Sequence, residues 1–304
     1  MQNYDICLAW NWEHDTDFVQ VLESSCQSQE LSLLQITPLT LNAALESLAA
    51  GQINFTCFLD RASDVDERFL PILEWAARKS KYWINPYRLA RRAWDKALMD
   101  RKFQYAGLST PISFVIPAYG DEPFIQPVDL EKLGDCFAIK PTHGGGGQGV
   151  VVQATCWDQV LAARQEYPAD RYLLQAHIIP DQLDSRPAWF RVIYCDGDIF
   201  PCWWHPKTHI YAPITTSEER AYGLEALRTI AATIHEISCL TLFSTEIALT
   251  PDGCFTIIDH VNDPIDLRLQ SKTPDGIPDD IVKAIANKMA SLARAYEHST
   301  KNNG

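Results

Sequence analysis

An α/β lobe at the amino terminus, followed by a larger α+β unit, is the fold class this sequence predicts. Three observations carry it. Strand and helix signals alternate three times over residues 1–85. From residue 137 a short apolar strand runs into four consecutive glycines, 144–147, and a second β-branched strand follows almost at once. Further on, Asp196-Gly197 and Asp252-Gly253 each separate two apolar segments, the mark of tight hairpins between antiparallel strands.

In the first lobe, residues 4–10 read as a strand and 15–24 as a helix with Phe18, Val19 and Leu22 on one face. A second strand is expected over 31–36 and a second helix over 38–50, with Thr40 or Asn42 as cap and Gly51 as stop. The third strand covers 53–59 and the third helix 66–80. Such alternation implies a small parallel sheet with helical crossovers. Its glycines are too few for a dinucleotide fingerprint, so the lobe is expected to support or shape a substrate cleft.

Asn85-Pro86 divides this domain, 1–85, from a second, 86–304. One helix is expected from 87 to 106, ended by Gly107 before Pro111 opens a strand over 112–116. A proline- and acid-rich loop, 117–127, precedes a helix near 128–133. Beyond the glycine hairpin lie an amphipathic helix, 157–166, and an apolar strand, 172–179, so that residues 110–180 make a flap or lid subdomain. Hairpins are expected over 189–196 with 198–203 and over 244–250 with 254–259; helices over 217–238 and 281–296 complete the chain. The 301–304 tail is expected to fray.

At 304 residues and 46% hydrophobic content the chain can bury an ordinary core. A formal net charge of −13 argues against a general nucleic-acid or anionic-membrane binder, because phosphate backbones are held by excess Lys and Arg. The nine cysteines (7, 26, 57, 136, 156, 195, 202, 239 and 254) contain no Cys-x-x-Cys pair, which suits reduced thiols better than a disulfide frame or a zinc site. The amino terminus lacks a basic n-region and a long apolar run, and no stretch approaches the roughly 20 apolar residues of a membrane span. A cytoplasmic protein is expected.

The stretch from Phe137 to Val152 carries the most chemistry. Glycine reaches positive φ and has no Cβ, so backbone N–H groups can close around a phosphate, and Lys140 at the strand end adds a full positive charge. Two strands joined by a glycine flap differ from the strand-then-helix of Walker and Rossmann loops. A nucleoside triphosphate under a mobile hairpin is one reading, and a flexible turn is the other. Lys140-Pro141 at the strand end and a carboxylate-rich segment about a hundred residues on favour the first.

In this order of signals the chain resembles the ATP-grasp superfamily over most of its length. Asp95-Lys96 and Ala106-Gly107-Leu108-Ser109-Thr110-Pro111 resemble the family's entry helix and strand. Lys140-Pro141 with Gly144, Gly145, Gly146, Gly147, Gln148 and Gly149 resembles its phosphate flap. Leu173-Leu174-Gln175-Ala176-His177-Ile178 falls at its adenine hinge, and Asp259-His260-Val261-Asn262-Asp263 at its metal segment. The resemblance implies an ATP-grasp fold with nucleotide held between two α+β subdomains, and ATP with Mg²⁺ (or Mn²⁺) as cofactors. It also implies a ligase that activates a carboxylate as an acylphosphate and joins it to an amine or similar nucleophile.

The implied roles follow residue by residue. Lys140 and Lys96 would meet phosphates, although Lys96 also sits among Arg91, Arg92, Arg101 and Lys102 on what reads equally as a solvated helix face. Gln175, Ala176 and Ile178 would hold adenine, and Asp181 or Asp184 the ribose, unless these acids simply belong to a polar loop. Arg191 matches an arginine near the γ-phosphate, with Lys207 a second cation for developing charge. Arg268 would clamp a substrate carboxylate, or else pair with an aspartate in its own segment. His205 and His209 are a poor metal pair because Pro206 disfavours a helix between them.

Glu246, Asp259 and Asn262 are the implied magnesium ligands, Mg²⁺ taking oxygen donors from one or two carboxylates plus phosphates. Here the chain departs from the family, whose acid and asparagine are separated by one residue. Anchoring on Asn262 places His260 at the acid position. A bulge at His260 would return both oxygens to one side, Asp263 would be a substitute, and a degenerate site is the other outcome. The substrate class is a small molecule with a carboxylate, such as an amino acid or peptide, and family members are often homodimers. A small-molecule kinase on the same scaffold and a non-catalytic ATP-binding regulator are the alternatives.

Overall fold

The computed structural model describes residues 1–301, with side chains through residue 296; the expected fraying of residues 302–304 lies outside the described residues. The first lobe contains β1 (Gln2–Trp10), α1 (Thr16–Ser28), β2 (Leu33–Ile36), α2 (Leu41–Ala49), β3 (Ile53–Arg61), α3 (Leu70–Lys79) and β4 (Tyr82–Ile84). The four strands form a parallel sheet in the order β2-β1-β3-β4. Both faces of β1 are covered, as a parallel sheet requires. Ile6 and Leu8 pack with Phe18 and Leu22 of α1, while Cys7 and Ala9 pack with Leu41 of α2 and Ile72 of α3. The short β4 was not anticipated; three residues are too few for a periodicity.

The helix expected over 87–106 is two helices, α4 (Tyr87–Trp94) and α5 (Lys96–Tyr105). Asp95 leaves helical geometry at ψ 95° and its carboxylate accepts the Leu98 N–H at 3.0 Å, an N-cap set inside a continuous helical pattern. β5 (Ser113–Ile116) follows, and the expected helix near 128–133 is a single 3₁₀ turn, Leu130–Leu133, stopped at Gly134. Then come β6 (Phe137–Pro141), β7 (Val151–Ala154), α6 (Trp157–Glu166) and β8 (Tyr172–Ala176). They make an antiparallel sheet in the order β5-β8-β6-β7.

A small hairpin, β9 (Gln182–Leu183) and β10 (Arg186–Pro187), leads into β11 (Trp189–Cys195), β12 (Asp198–Trp204) and β13 (Tyr211–Pro213). The long helix expected over 217–238 is divided into α7 (Thr216–Tyr222) and α8 (Ala226–Ser238), because Gly223 takes a left-handed cap at φ 64°. β14 (Leu242–Leu249) and β15 (Phe255–Asn262) complete a sheet ordered β13-β12-β11-β14-β15. The last helix, α9 (Asp279–Lys301), returns to the first lobe, where Val282, Ile285 and Met289 join the core of Ile6, Leu8 and Phe18. No helix among the described residues is long and apolar enough to cross a membrane.

A buried arginine, ion-paired within the first lobe, ties that lobe to the segment after β15. Arg61 at the end of β3 bonds Asp15 at 2.6 Å and donates to the Ile265 carbonyl at 2.8 Å, with both charged side chains 2% exposed. Arg61→Met would leave Asp15 buried without its cation, so urea denaturation is expected to show a loss of about 3–5 kcal/mol.

Candidate functional site

Lys140, one residue from the end of β6, bridges two sheets. Its ammonium donates to Gln175 Oε1 on β8 at 2.7 Å and to the Ile258 carbonyl on β15 at 3.3 Å. Burial pushes this amine down, while the Asp259 and Glu246 carboxylates oppose that push.

Those carboxylates are brought face to face by the pairing of β14 with β15. Leu249, Ala248 and Ile247 pair with Phe255, Thr256 and Ile257 in regular register; then Glu246 pairs with Asp259 and Ser244 with Asn262. Each irregularity inserts one extra residue on β15. Without them Glu246 would face Ile258, and Asp259 would point to the other side of the sheet. The bulge that was expected at His260 lies between Asp259 and Asn262, and a second slip precedes Asp259. The extra residue Ile258 presents its carbonyl to Lys140.

Across β14, Arg191 stands directly opposite Glu246. Its guanidinium pairs with the Glu246 carboxylate, donates to Ser244 Oγ at 3.1 Å and lies 5.5 Å from the Trp204 ring centre. Arg191, Glu246 and Asp259 therefore form a row over three neighbouring strands. Burial raises the Glu246 carboxyl above its usual range, with the Asp259 charge adding to the effect and Arg191 opposing it. Burial works the same way on Asp259, but Lys140, Lys96 and Arg191 outweigh it and hold that carboxyl low.

Lys96, the first residue of α5, donates to the Gly144 carbonyl at 2.6 Å, joining that helix to the glycine turn. Gly144, Gly146, Gly147 and Gly149 all have positive φ, whereas Gly145 does not. At Gly149 an added Cβ would come within 2.4 Å of the Tyr167 ring, so only glycine fits there. A cavity of about 520 Å³ at the turn is lined by His143, Gly144, Gln148, Tyr167 and Asp170, among others.

At the hinge, Gln175 is 2% exposed and its Oε1 is committed to Lys140, leaving Nε2 without a partner among the described residues. The Ala176 N–H is bonded to the Ile112 carbonyl at 2.8 Å. Ile178 lines a separate cavity of about 450 Å³ with Ser109, Pro111, Ile112 and Pro251, to which Lys140, Glu246 and Asp259 do not contribute. Asp184, in the β9–β10 turn, accepts from the Tyr222 hydroxyl. Asp181 binds the neighbouring Gln182 N–H at 2.8 Å. Lys207 is exposed between β12 and β13, and Arg268 is paired with Asp266 at 2.7 Å and Asp275 at 2.9 Å. The structure thus gathers Lys96, Lys140, Gln175, Arg191, Glu246 and Asp259, while Asp184 and Arg268 are engaged elsewhere.

Mg²⁺ asks for hard oxygen donors and fills remaining positions with water and phosphate. Two opposed carboxylates, with Asn262 on the same face, fit that demand. Asn262 itself makes only a long contact, Nδ2 to the Ser244 carbonyl at 3.5 Å. Among the described residues no group of three or more His, Cys, Asp and Glu side chains gathers as a metal site; a third donor from the protein would be the Asn262 carbonyl. Trp204, against Arg191, belongs to the site but carries no motif in the sequence. His260 is buried on the opposite face, against Asp100.

The root of the glycine turn has its own titrating anchor. His143 Nδ1 lies 2.9 Å from Asp170 Oδ1, and Asp170 also accepts the His143 N–H at 2.9 Å and the Thr142 hydroxyl at 2.8 Å. The bond to Asp170 raises His143 above its ordinary value of 6.5. A raised folded pKa means that the anchor contributes fully below the unfolded value and fades as pH rises through the folded one. Amide protection factors over residues 142–150 are expected to fall as pH rises above the ordinary histidine value of 6.5, and His143→Ala should remove that dependence.

Neither a family model nor a curated protein matches the chain. Solved structures do. D-alanine–D-alanine ligase from Bacillus anthracis complexed with ATP is similar with a TM-score of 0.66 at 14% identity, each chain covered 100%. A RimK domain ATP-grasp protein from Sphaerobacter thermophilus gives 0.65 at 16% identity, covering 94% of this chain and 99% of its own. The ATP-grasp ligase PsnB, complexed with a precursor peptide and AMPPNP, gives 0.63 at 13% identity, covering 97% and 99%. With two α+β lobes around the Lys140 site and this likeness over nearly its full length, the chain has the ATP-grasp fold.

Proposed function

We propose that the protein is an ATP- and Mg²⁺-dependent ligase that joins a carboxylate to an amine or similar nucleophile. The observation that carries this reading is the convergence of Lys140, Arg191, Glu246 and Asp259, from two sheets, beside a glycine turn anchored through Lys96. The substrate carboxylate attacks the γ-phosphorus of ATP, forming an acylphosphate and releasing ADP; the nucleophile then attacks the acyl carbon and expels phosphate. Bound Mg²⁺ would neutralise charge on the phosphate oxygens, held by Glu246, Asp259 and Asn262.

The chain's own residues supply position and charge rather than a nucleophile. Lys140 keeps one ammonium proton free for phosphate after bonding Gln175 and Ile258. Arg191 is held by Glu246 and Ser244 at the place where charge would build on the transferred group. The glycine turn would cover the phosphates with backbone N–H groups, with Gln148 beside them, and exclude water. On this reading residues 1–85 shape the substrate cleft, 86–304 hold nucleotide and 110–180 act as the lid. On the same reading the protein is cytoplasmic, with homodimers implied by the family resemblance, and its substrate is a small carboxylate, an amino acid or a peptide, a class supported by fold relatives complexed with peptides.

Two measurements test it. Sustained, multiple-turnover ADP formation should require both a carboxylate and an amine from a substrate panel; ADP formed with an alcohol and giving a phosphorylated product would instead mark a kinase. Glu246→Gln should lower kcat by about 100-fold or more while circular dichroism stays native, and unchanged turnover would remove Glu246 from the metal site.

A further inference from the structure

His260 occupies the sequence position where the resemblance expects a metal-binding acid, yet it lies on the other face of β15. It is 1% exposed, its Nε2 is 3.2 Å from Asp100 Oδ1 on α5, and the Phe103 ring lies 5.4 Å away. The other Asp100 oxygen accepts from Ser113 Oγ at 2.7 Å and Gln104 Nε2 at 3.0 Å. Asp100 is therefore a fixed acceptor, oriented from three sides. His260 Nδ1 has no partner among the described residues, so the ring is held on its polar side through Nε2, which donates to the Asp100 carboxylate.

The arithmetic of the strand makes this pair consequential. Side chains alternate along a strand, so a one-residue slip exchanges its faces. In an unslipped β15, residues 260 and 262 would share the Glu246 face, and Asp259 would be buried toward α5 beside the like charge of Asp100. In the slipped strand, Asp259 and Asn262 face Glu246 and Ser244, and His260 reaches Asp100. The two arrangements differ in whether a carboxylate or an imidazole meets Asp100, and a buried like-charged pair is the costly choice.

We propose that the Asp100–His260 pair is a positioning element that holds β15 in its slipped register and so turns Asp259 onto the Glu246 face. Neither residue touches metal or nucleotide; both act through Asp259. The claim about metal affinity rests on the ligase reading, whereas the claim about register does not.

The test is a set of Mn²⁺ titrations, followed by electron paramagnetic resonance, of the full-length protein with AMPPNP. Asp100→Leu should weaken Mn²⁺ binding about tenfold or more, and His260→Gln, which can still donate to Asp100, should lose much less than His260→Leu. The decisive variant exchanges the two residues, Asp259→His with His260→Asp. There an unslipped strand places the acid on the Glu246 face, opposite Ser244, and the imidazole toward Asp100, so Mn²⁺ affinity should exceed that of the single variant Asp259→His. In that background Asp100→Leu should cost no more than about twofold. Equal losses in both backgrounds would reduce the pair to general stability and overturn the proposal. If the native protein with AMPPNP binds no Mn²⁺, the ligase reading fails. The register is then judged by amide exchange at residues 257–262, which Asp100→Leu should alter locally and which must not stay native.

Discussion

The site depends on a strand that abandons its regular register. Ile258 is the first residue left over when β15 slips past β14, and its carbonyl, no longer part of the ladder's even pairing, meets the Lys140 ammonium. One local irregularity therefore does two things at once. It turns Asp259 toward Glu246, and it supplies the oxygen that docks the end of β6 against a different sheet. A regular hairpin would do neither. Bulges recur where a strand must re-aim a side chain.

Charge compensation explains why the cluster is tolerable in a folded chain without ligands. Two of the cations lie beside an opposite charge, Lys140 beside Asp259 and Arg191 beside Glu246, while Lys96 is capped by a flap carbonyl. A chain with net charge −13 has no global attraction for an anion, so any phosphate would be drawn by these three local cations. Their partners are carboxylates suited to a divalent ion. Binding metal and phosphate together would exchange one set of compensations for another, without exposing an uncompensated charge.

The parts of this fold legible in sequence are those governed by short-range chemistry. The Asp-Gly hairpins, the glycine turn behind Lys140 and the helix over Trp157–Glu166 all obey local rules and stand where those rules place them. The splits at Asp95 and Gly223 were missed because helical periodicity continues through both; only the cap geometry ends the helix. At the site, Lys140 and Glu246 could be suspected from their surroundings, but the partner of His260 could not. Asp100 lies 160 positions earlier in an unremarkable charged helix, and only the packing of α5 on β15 brings the two together. Arg268 illustrates the opposite limit. Its own neighbours Asp266 and Asp275 satisfy it, a local option that the sequence offered alongside the substrate clamp.

The central claim is that both sheets close on one triphosphate. Diffraction from crystals grown with AMPPNP and Mn²⁺, using the anomalous signal of the metal, addresses it most directly. The account predicts a manganese peak bound by Glu246 and Asp259 oxygens, with a phosphate oxygen within hydrogen-bonding distance of Lys140 Nζ. Nucleotide lodged elsewhere, with Lys140 still bonded only to Gln175 and Ile258 and no metal between the two carboxylates, would contradict it.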